Sequence, residues 1–215
     1  MTHVPEWLTT LAVTAGTATV PAYLRPPASG GRQAAVLLLF GEGPHGPDVL
    51  LIQRSARGRL HAGQPAFPGG GVDPGDGGPE GAALREAEEE TGVDPRGVAL
   101  VGVLPELYVG ASDNRVTPVI GWWHTPSAVH AAAPDEVESV ERVPLAELCD
   151  PGNRLRVRAP GGYLGAAFRV RGLLVWGFTA GVLDRVLAAG GFERPWDPSR
   201  VEDLPPGSLR LTASR

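Results

Sequence analysis

The apolar positions of this chain come in short runs punctuated by glycine and proline. AAVLLLF (34–40) and DVLLIQR (48–54) flank GEGPHGP (41–47), a Gly/Pro turn signal. The pattern predicts strands over Ala34–Phe40 and Asp48–Arg54, paired as a hairpin. Further strands are expected over Val98–Leu107, Val116–Trp123 and Val137–Val143. Two segments read as helices. Pro79–Thr91 has proline near its start and Gly92 just past its end. Gly177–Ala189 spaces Phe178, Val182, Leu183 and Val186 along one apolar face. Strands, one central helix, more strands and a final helix predict a mixed α/β domain, not a regular βαβ alternation.

Outside these elements the pattern weakens. Residues 1–32 read as an N-terminal extension with one short helical segment, EWLTTLAV, and residues 33–190 as the domain. Residues 191–215, rich in proline and polar side chains, read as a tail packed loosely on it.

Composition narrows the function classes. The 215 residues are 42% hydrophobic and 20% charged, an ordinary globular balance, and suffice for one domain with extensions. All 19 basic residues are arginine, which removes P-loop lysine and Schiff-base chemistry. A net charge of −5 argues against nucleic-acid or anionic-membrane partners. No apolar run approaches the roughly 20 residues of a membrane helix. The start, MTHVPEWLTT, lacks the order of a signal peptide. The lone Cys149 excludes an internal disulfide framework and any multi-cysteine zinc site, which points to a reducing cytoplasm. Cys149 itself reads as structural.

One stretch stands out chemically. LREAEEETG (84–92) places Glu86, Glu88, Glu89 and Glu90 within five positions. On a helix, Glu86, Glu89 and Glu90 share one arc and repel one another, while Glu88 points away. A divalent cation such as Mg²⁺ or Mn²⁺, held through carboxylate oxygens, would offset that repulsion. The preceding FPGGGVDPGD (67–76) is a glycine-rich loop whose backbone can approach an anion closely. A hard cation beside a phosphate-binding loop suits attack of water on a phosphoanhydride.

The run Gly70…Arg85-Glu86-Ala87-Glu88-Glu89-Glu90-Thr91-Gly92-Val93 resembles the Nudix box, in which a glycine is followed by R-E-(aliphatic)-x-E-E-x-G-(aliphatic). The second half matches throughout. In the first half Asp76 stands where the pattern has glutamate, with one extra residue before Arg85; the departure touches any bracing of the helix, not the metal-binding half. LLIQRSARGRLHAGQPAFPGG (50–70) is similar to the signature of the coenzyme A pyrophosphatase branch, matching at Arg54, Ser55, Arg59, Gly63, Phe67, Pro68, Gly69 and Gly70. VTPVIG (116–121), PDEVESVERVPL (134–145) and VWGFTAGVL (175–183) extend the likeness to roughly residues 33–187.

The resemblance implies a Nudix fold, a mixed sheet sandwiched between helices, and hydrolysis of coenzyme A or a related nucleotide. Glu86, Glu89 and Glu90 are the expected metal ligands, for Mg²⁺ or Mn²⁺. Glu89 is the first candidate for the general base, with Glu136 on a neighbouring loop as the second. Arg85 is expected to orient Glu89 through an i,i+4 ion pair. Arg54 and Arg59 are substrate-binding candidates because guanidinium forks suit phosphate, and Gly69 and Gly70 form the shaped turn beside them. Arg57 reads as a solvated charge, and His61 as either a structural hydrogen-bonder or a ligand. Trp122, Trp123, Trp176 and Phe178 read as core. The rivals are the same chemistry on another nucleoside diphosphate derivative such as ADP-ribose, and a non-catalytic nucleotide sensor, which would be expected to lack box carboxylates.

Overall fold

The computed structural model describes residues 3–56, 62–159, 162–205 and 208. Helix α1 (Glu6–Gly16) precedes the strands β1 (Arg32–Gly43), β2 (Gly46–Arg54), β3 (Pro65–Ala66) and β4 (Gly69–Gly71). Then come α2 (Pro79–Thr91), β5 (Val98–Val103), β6 (Leu107–Val109), β7 (Asn114–Trp123), β8 (Val137–Pro144) and the short α3 (Leu145–Leu148). The last part holds β9 (Arg154–Arg158), β10 (Leu164–Val170), β11 (Leu173–Val175), α4 (Gly177–Ala189) and β12 (Val201–Asp203).

Among the described residues the main sheet has the order β3-β2-β1-β7-β5, with β4 also on β1, β6 on β7 and β8 on β2. β1 and β7 run parallel and the other pairs antiparallel, so the sheet is mixed. Side chains alternate across a strand, and β1 uses both faces. Ala35, Leu37 and Leu39 pack with Ala82, Ala83 and Ala87 of α2. Leu38 and Phe40 face the opposite way, onto Leu8 and Leu11 of α1 and Leu183 and Val186 of α4. Helices therefore cover both faces of the sheet, as the mixed α/β expectation requires.

Several segments depart from the sequence expectations, among them β4, a strand inside the expected glycine-rich loop. The helix in residues 1–32 is part of the core, with Leu8 and Leu11 fully buried. Its Trp7 meets the rings of Phe40, Trp122 and Phe192 edge-on at 5.7, 6.4 and 5.1 Å, a geometry that suits aromatic quadrupoles. The strand expected over Val98–Leu107 is divided between β5 and β6 around Pro105, which has no N–H to give a ladder. A second sheet, β11-β10-β9-β12, was not expected.

The tail is held more firmly than its composition suggests. β12 pairs with β9, and the guanidinium of the buried Arg154 lies 4.7 Å from the rings of both Phe168 and Trp196 while pairing with Asp184. No helix among the described residues is long and apolar enough to cross a membrane.

Candidate active site

The site is built where the glycine strand β4 meets helix α2. β4 lies antiparallel on β1, with Gly69 opposite Val36 and Gly70 opposite Ala35. A Cβ on Gly69 would fall 2.3 Å from the carbonyl oxygen of Ala35, and one on Gly70 would fall 2.4 Å from Oε1 of Glu86. These two glycines allow backbone and carboxylate to approach more closely than any side chain would permit. α2 starts with proline in its first turn and stops at Gly92, whose left-handed φ of 71° suits glycine.

Glu90 is the most deeply placed carboxylate, at 2% exposure. Its Oε2 accepts the Gly69 N–H at 2.9 Å, and its Oε1 stands 3.7 Å from Nη1 of Arg54. Burial pushes its carboxyl up to about 7; the Gly69 N–H and Arg54 oppose that rise, while Glu86 and Glu136 add to it. Glu86, one turn earlier, is also raised by burial, with Arg85 opposing and Glu89 and Glu136 adding. Glu88 and Glu89 are exposed.

Arg85 ties the acidic face together. Its Nε and Nη2 donate to the two oxygens of Asp76 at 2.8 and 3.2 Å, a bidentate fork. Its Nη1 donates to Glu86 and to Glu89, both at 3.0 Å, and Nη2 also reaches the carbonyl of Gly71 at 3.0 Å. These contacts hold the guanidinium well above its ordinary pKa, chiefly through Asp76. The bracing put in question by aspartate at position 76 is therefore made by Asp76 itself. Sequence reasoning put Asp76 at the glutamate position of the pattern but left its bracing role open, because that role depends on the fold of the 73–78 loop rather than on spacing along a helix.

Glu136 stands just before β8. Its carbonyl accepts the Ser55 N–H at 2.7 Å, which anchors it beside the end of β2. Its charge adds to the rise of the Glu86 and Glu90 carboxyls, and its own side chain is exposed. The loop leading to it is pinned to the end of α2, where the N–H groups of His130 and Ala132 donate to the carbonyls of Thr91 and Glu90, each at 3.0 Å. Glu89 instead turns outward into its ion pair with Arg85, its side chain 58% exposed. The contacts bring Glu86, Glu90, Arg54, Gly69 and Gly70 together, Arg85 bridges Glu86 to Glu89, and both Glu89 and Glu136 stand exposed at the margin. Arg59, with Arg57 and His61, lies outside the described residues.

Among the described residues no three acidic, histidine or cysteine side chains are gathered into a ready ligand cluster. The pair Glu86 and Glu90 nevertheless fits a hard divalent cation. Glu90 is almost wholly buried with one guanidinium at 3.7 Å and one backbone donor, too little to hold its charge at the ordinary carboxylate value. Two desolvated carboxylates one turn apart supply the oxygen donors such an ion requires.

Next to the pair lies a cavity of about 300 Å³, lined in part by Arg54, Phe67, Gly69, Gly70, Trp176 and Phe178. Trp122 and Trp123 are core, as expected. Trp176 and Phe178 are only half-buried; they pack partly on the core and partly line this cavity.

The buried carboxylate makes stability depend on pH. In metal-free protein Glu90 keeps its proton to about 7, against 4.5 for an ordinary glutamate. The folded state therefore binds the proton more tightly than the unfolded chain. The stability from this group is full below the ordinary value and is lost as pH rises through about 7. This group lowers the melting temperature of metal-free protein as pH rises from about 4.5 to about 7, and saturating Mg²⁺ is expected to restore more at the higher pH. Thermal melts of wild type and Glu90→Gln check this; an identical pH dependence in the two would contradict it.

The NUDIX domain family model matches residues 31–162. A Citrobacter koseri protein named "Uncharacterized Nudix hydrolase NudL" is 42% identical over 170 residues, which covers 74% of this chain and 85% of the relative. The protein of the same name from Escherichia coli strain K12 is 42% identical over 158 residues, 71% of this chain and 79% of the relative. Among solved structures, the NUDIX domain of Shewanella oneidensis NrtR complexed with ADP ribose aligns at 23% identity and a TM-score of 0.45, over 56% of this chain and 77% of that one. With the family model spanning more than half of its length, the chain belongs to the NUDIX domain family and is a Nudix hydrolase.

Proposed function

We propose that this hydrolase cuts the diphosphate of coenzyme A with water, releasing 3′,5′-ADP and 4′-phosphopantetheine. The observation that carries the reading is the position of Arg54 and Gly69, near the two ends of the segment 50–70. The stretch that resembles the coenzyme A pyrophosphatase signature is the one that contacts the buried carboxylate, with Gly69 on one oxygen of Glu90 and Arg54 beside the other.

Glu86 and Glu90 are the residues that would hold Mg²⁺ or Mn²⁺, with Glu89 contributing directly or through water. The ion, when bound, supplies charge neutralisation and Lewis acidity at the diphosphate. Arg54 lines the cavity and offers a guanidinium fork to a phosphate oxygen, a role shared with Arg59 in this proposal. Gly69 and Gly70 keep the wall free of side chains where the diphosphate would lie. Arg85 positions Glu86 and does not touch substrate.

Glu136 is the better candidate for accepting the proton of the attacking water. Its charge bears on both Glu86 and Glu90, whereas Glu89, whose charge bears on Glu86, is engaged by Arg85. Glu136→Gln is expected to lower kcat about 100-fold or more and to flatten the acidic limb of the pH–rate profile, with metal affinity retained. Glu89→Gln is expected to cost about 10-fold. A larger loss in Glu89→Gln, with the acidic limb altered there instead, would transfer the role.

The substrate reading is tested by incubating purified protein with coenzyme A and Mg²⁺ or Mn²⁺ and separating the products. Appearance of 3′,5′-ADP and 4′-phosphopantetheine in equal amounts supports it; absence of turnover alongside rapid cleavage of ADP-ribose would overturn it.

A further inference from the structure

We infer that the cavity between the Gly69–Gly70 turn and the start of α4 is the subsite for the pantetheine arm, with the 3′-phosphorylated nucleoside outside it; this rests on the coenzyme A reading above. The strand register gives the cavity its length. Gly69 pairs with Val36, Ala34 with Val116, and Asn114 with Val109. One wall therefore steps from β4 to β1, β7 and β6, three strand spacings or about 14 Å. Trp176, Gly177, Phe178 and Thr179 add the start of α4 to the lining, and Arg54, residues 64–67, Ala111 and Ser112 supply the rest. Such a run suits an extended chain better than a compact base and sugar.

The chemistry of the lining points the same way. The arm is uncharged, with a branched apolar carbon and two amides. Val36, Phe67, Val116 and Phe178 offer it apolar surface. α4 has no side-chain cap at Trp176, and the first N–H groups of a helix lack intrahelical acceptors. Those groups at Gly177–Thr179 are suitable donors for an amide carbonyl.

The nucleoside end of coenzyme A carries a phosphate dianion on its ribose. Among the described residues lining the cavity, Arg54 alone is cationic, and it stands beside Glu90. A helix end contributes only about half an elementary charge. The neutral arm, by contrast, requires no counter-charge from this lining.

The test uses two variants and the two products as ligands. Ala111 is exposed in the turn between β6 and β7 and lines the cavity, so Ala111→Trp can fill that space without entering the core. Phe178→Ala instead removes apolar wall. Product-inhibition constants for 4′-phosphopantetheine and 3′,5′-ADP are measured on full-length protein whose folding is verified by thermal melting. Ala111→Trp is expected to weaken 4′-phosphopantetheine about 10-fold or more and to leave 3′,5′-ADP within about 2-fold, with Phe178→Ala changing in the same sense. Selective weakening of 3′,5′-ADP would place the nucleoside in the cavity and overturn the inference, as would unchanged constants in both variants. Failure of the wild type to cleave coenzyme A would sink the substrate reading itself, a separate outcome from wild-type cleavage with no selective effect of the variants.

Discussion

Glu90→Gln is expected to lower kcat/KM about 1,000-fold or more, equivalent to about 4 kcal/mol of lost transition-state stabilisation. The change preserves shape, and the amide oxygen of glutamine still accepts the Gly69 N–H that now meets Glu90. What disappears is a buried negative charge with limited compensation. The metal-free variant should therefore melt no lower than wild type at about pH 8, because the cost of desolvating an ion has been removed. Glu88→Gln, on the exposed side of α2, is the control and should change little. Combined with melting curves, this pattern separates loss of the metal centre from loss of the fold. Near-normal turnover in Glu90→Gln at limiting Mg²⁺ would remove the proposed centre.

The adjacent glycines should respond differently from each other. At Gly69 an added Cβ meets backbone, 2.3 Å from the oxygen of Ala35 and 2.7 Å from the Cα of Val36. Backbone atoms inside a sheet have little room to yield, so Gly69→Ala is expected to cost about 2–4 kcal/mol of stability as well as activity. At Gly70 the added atom meets the carboxylate of Glu86, the far end of a flexible side chain. Gly70→Ala should retain most of the stability while displacing Glu86 from its place beside Glu90, with activity falling about 100-fold. Denaturant unfolding and steady-state rates on the pair check this. Equal losses of stability in both would show that the Glu86 carboxylate is not held where the Gly70 contact puts it.

The acidic helix was legible because its chemistry is local. Glu86 and Glu90 are related by helical spacing, Arg85 and Glu89 likewise, and Gly92 marks the stop, so a short window contains the pattern. The long strands β1, β2 and β7 were legible for the same reason, through short apolar runs bounded by glycine and proline, whereas β4 lay inside what reads as a glycine-rich loop. Glu136 could be named only as a second candidate, because its place beside the end of β2 comes from β8 pairing with β2. The placement of Trp176 and Phe178 on the cavity likewise depends on where β11 and α4 are carried by the chain.

The second sheet carried a signal that was not used. In RLRVR (154–158) the apolar Leu155 and Val157 alternate with arginines, a two-residue period, and both are fully buried. The arginines disguised it, and Arg154 breaks the simple rule by being buried too, stacked between Phe168 and Trp196. That contact, with β12 on β9, also explains why a proline-rich tail is packed. The helix at the start of the chain was undervalued because its burial depends on a partner surface, Phe40 and Trp122, far along the sequence.

The central claim is that water attacks the diphosphate of coenzyme A at a centre requiring Glu86 and Glu90. Its most direct test is hydrolysis of coenzyme A, dephospho-coenzyme A, ADP-ribose and diadenosine polyphosphates in ¹⁸O-enriched water with Mg²⁺ or Mn²⁺, comparing wild type with Glu90→Gln. The account predicts the highest kcat/KM for coenzyme A, ¹⁸O in only one of its two phosphate-bearing products, and loss of that reaction in the variant. A clear preference for ADP-ribose, or coenzyme A cleavage undiminished in Glu90→Gln, would contradict it.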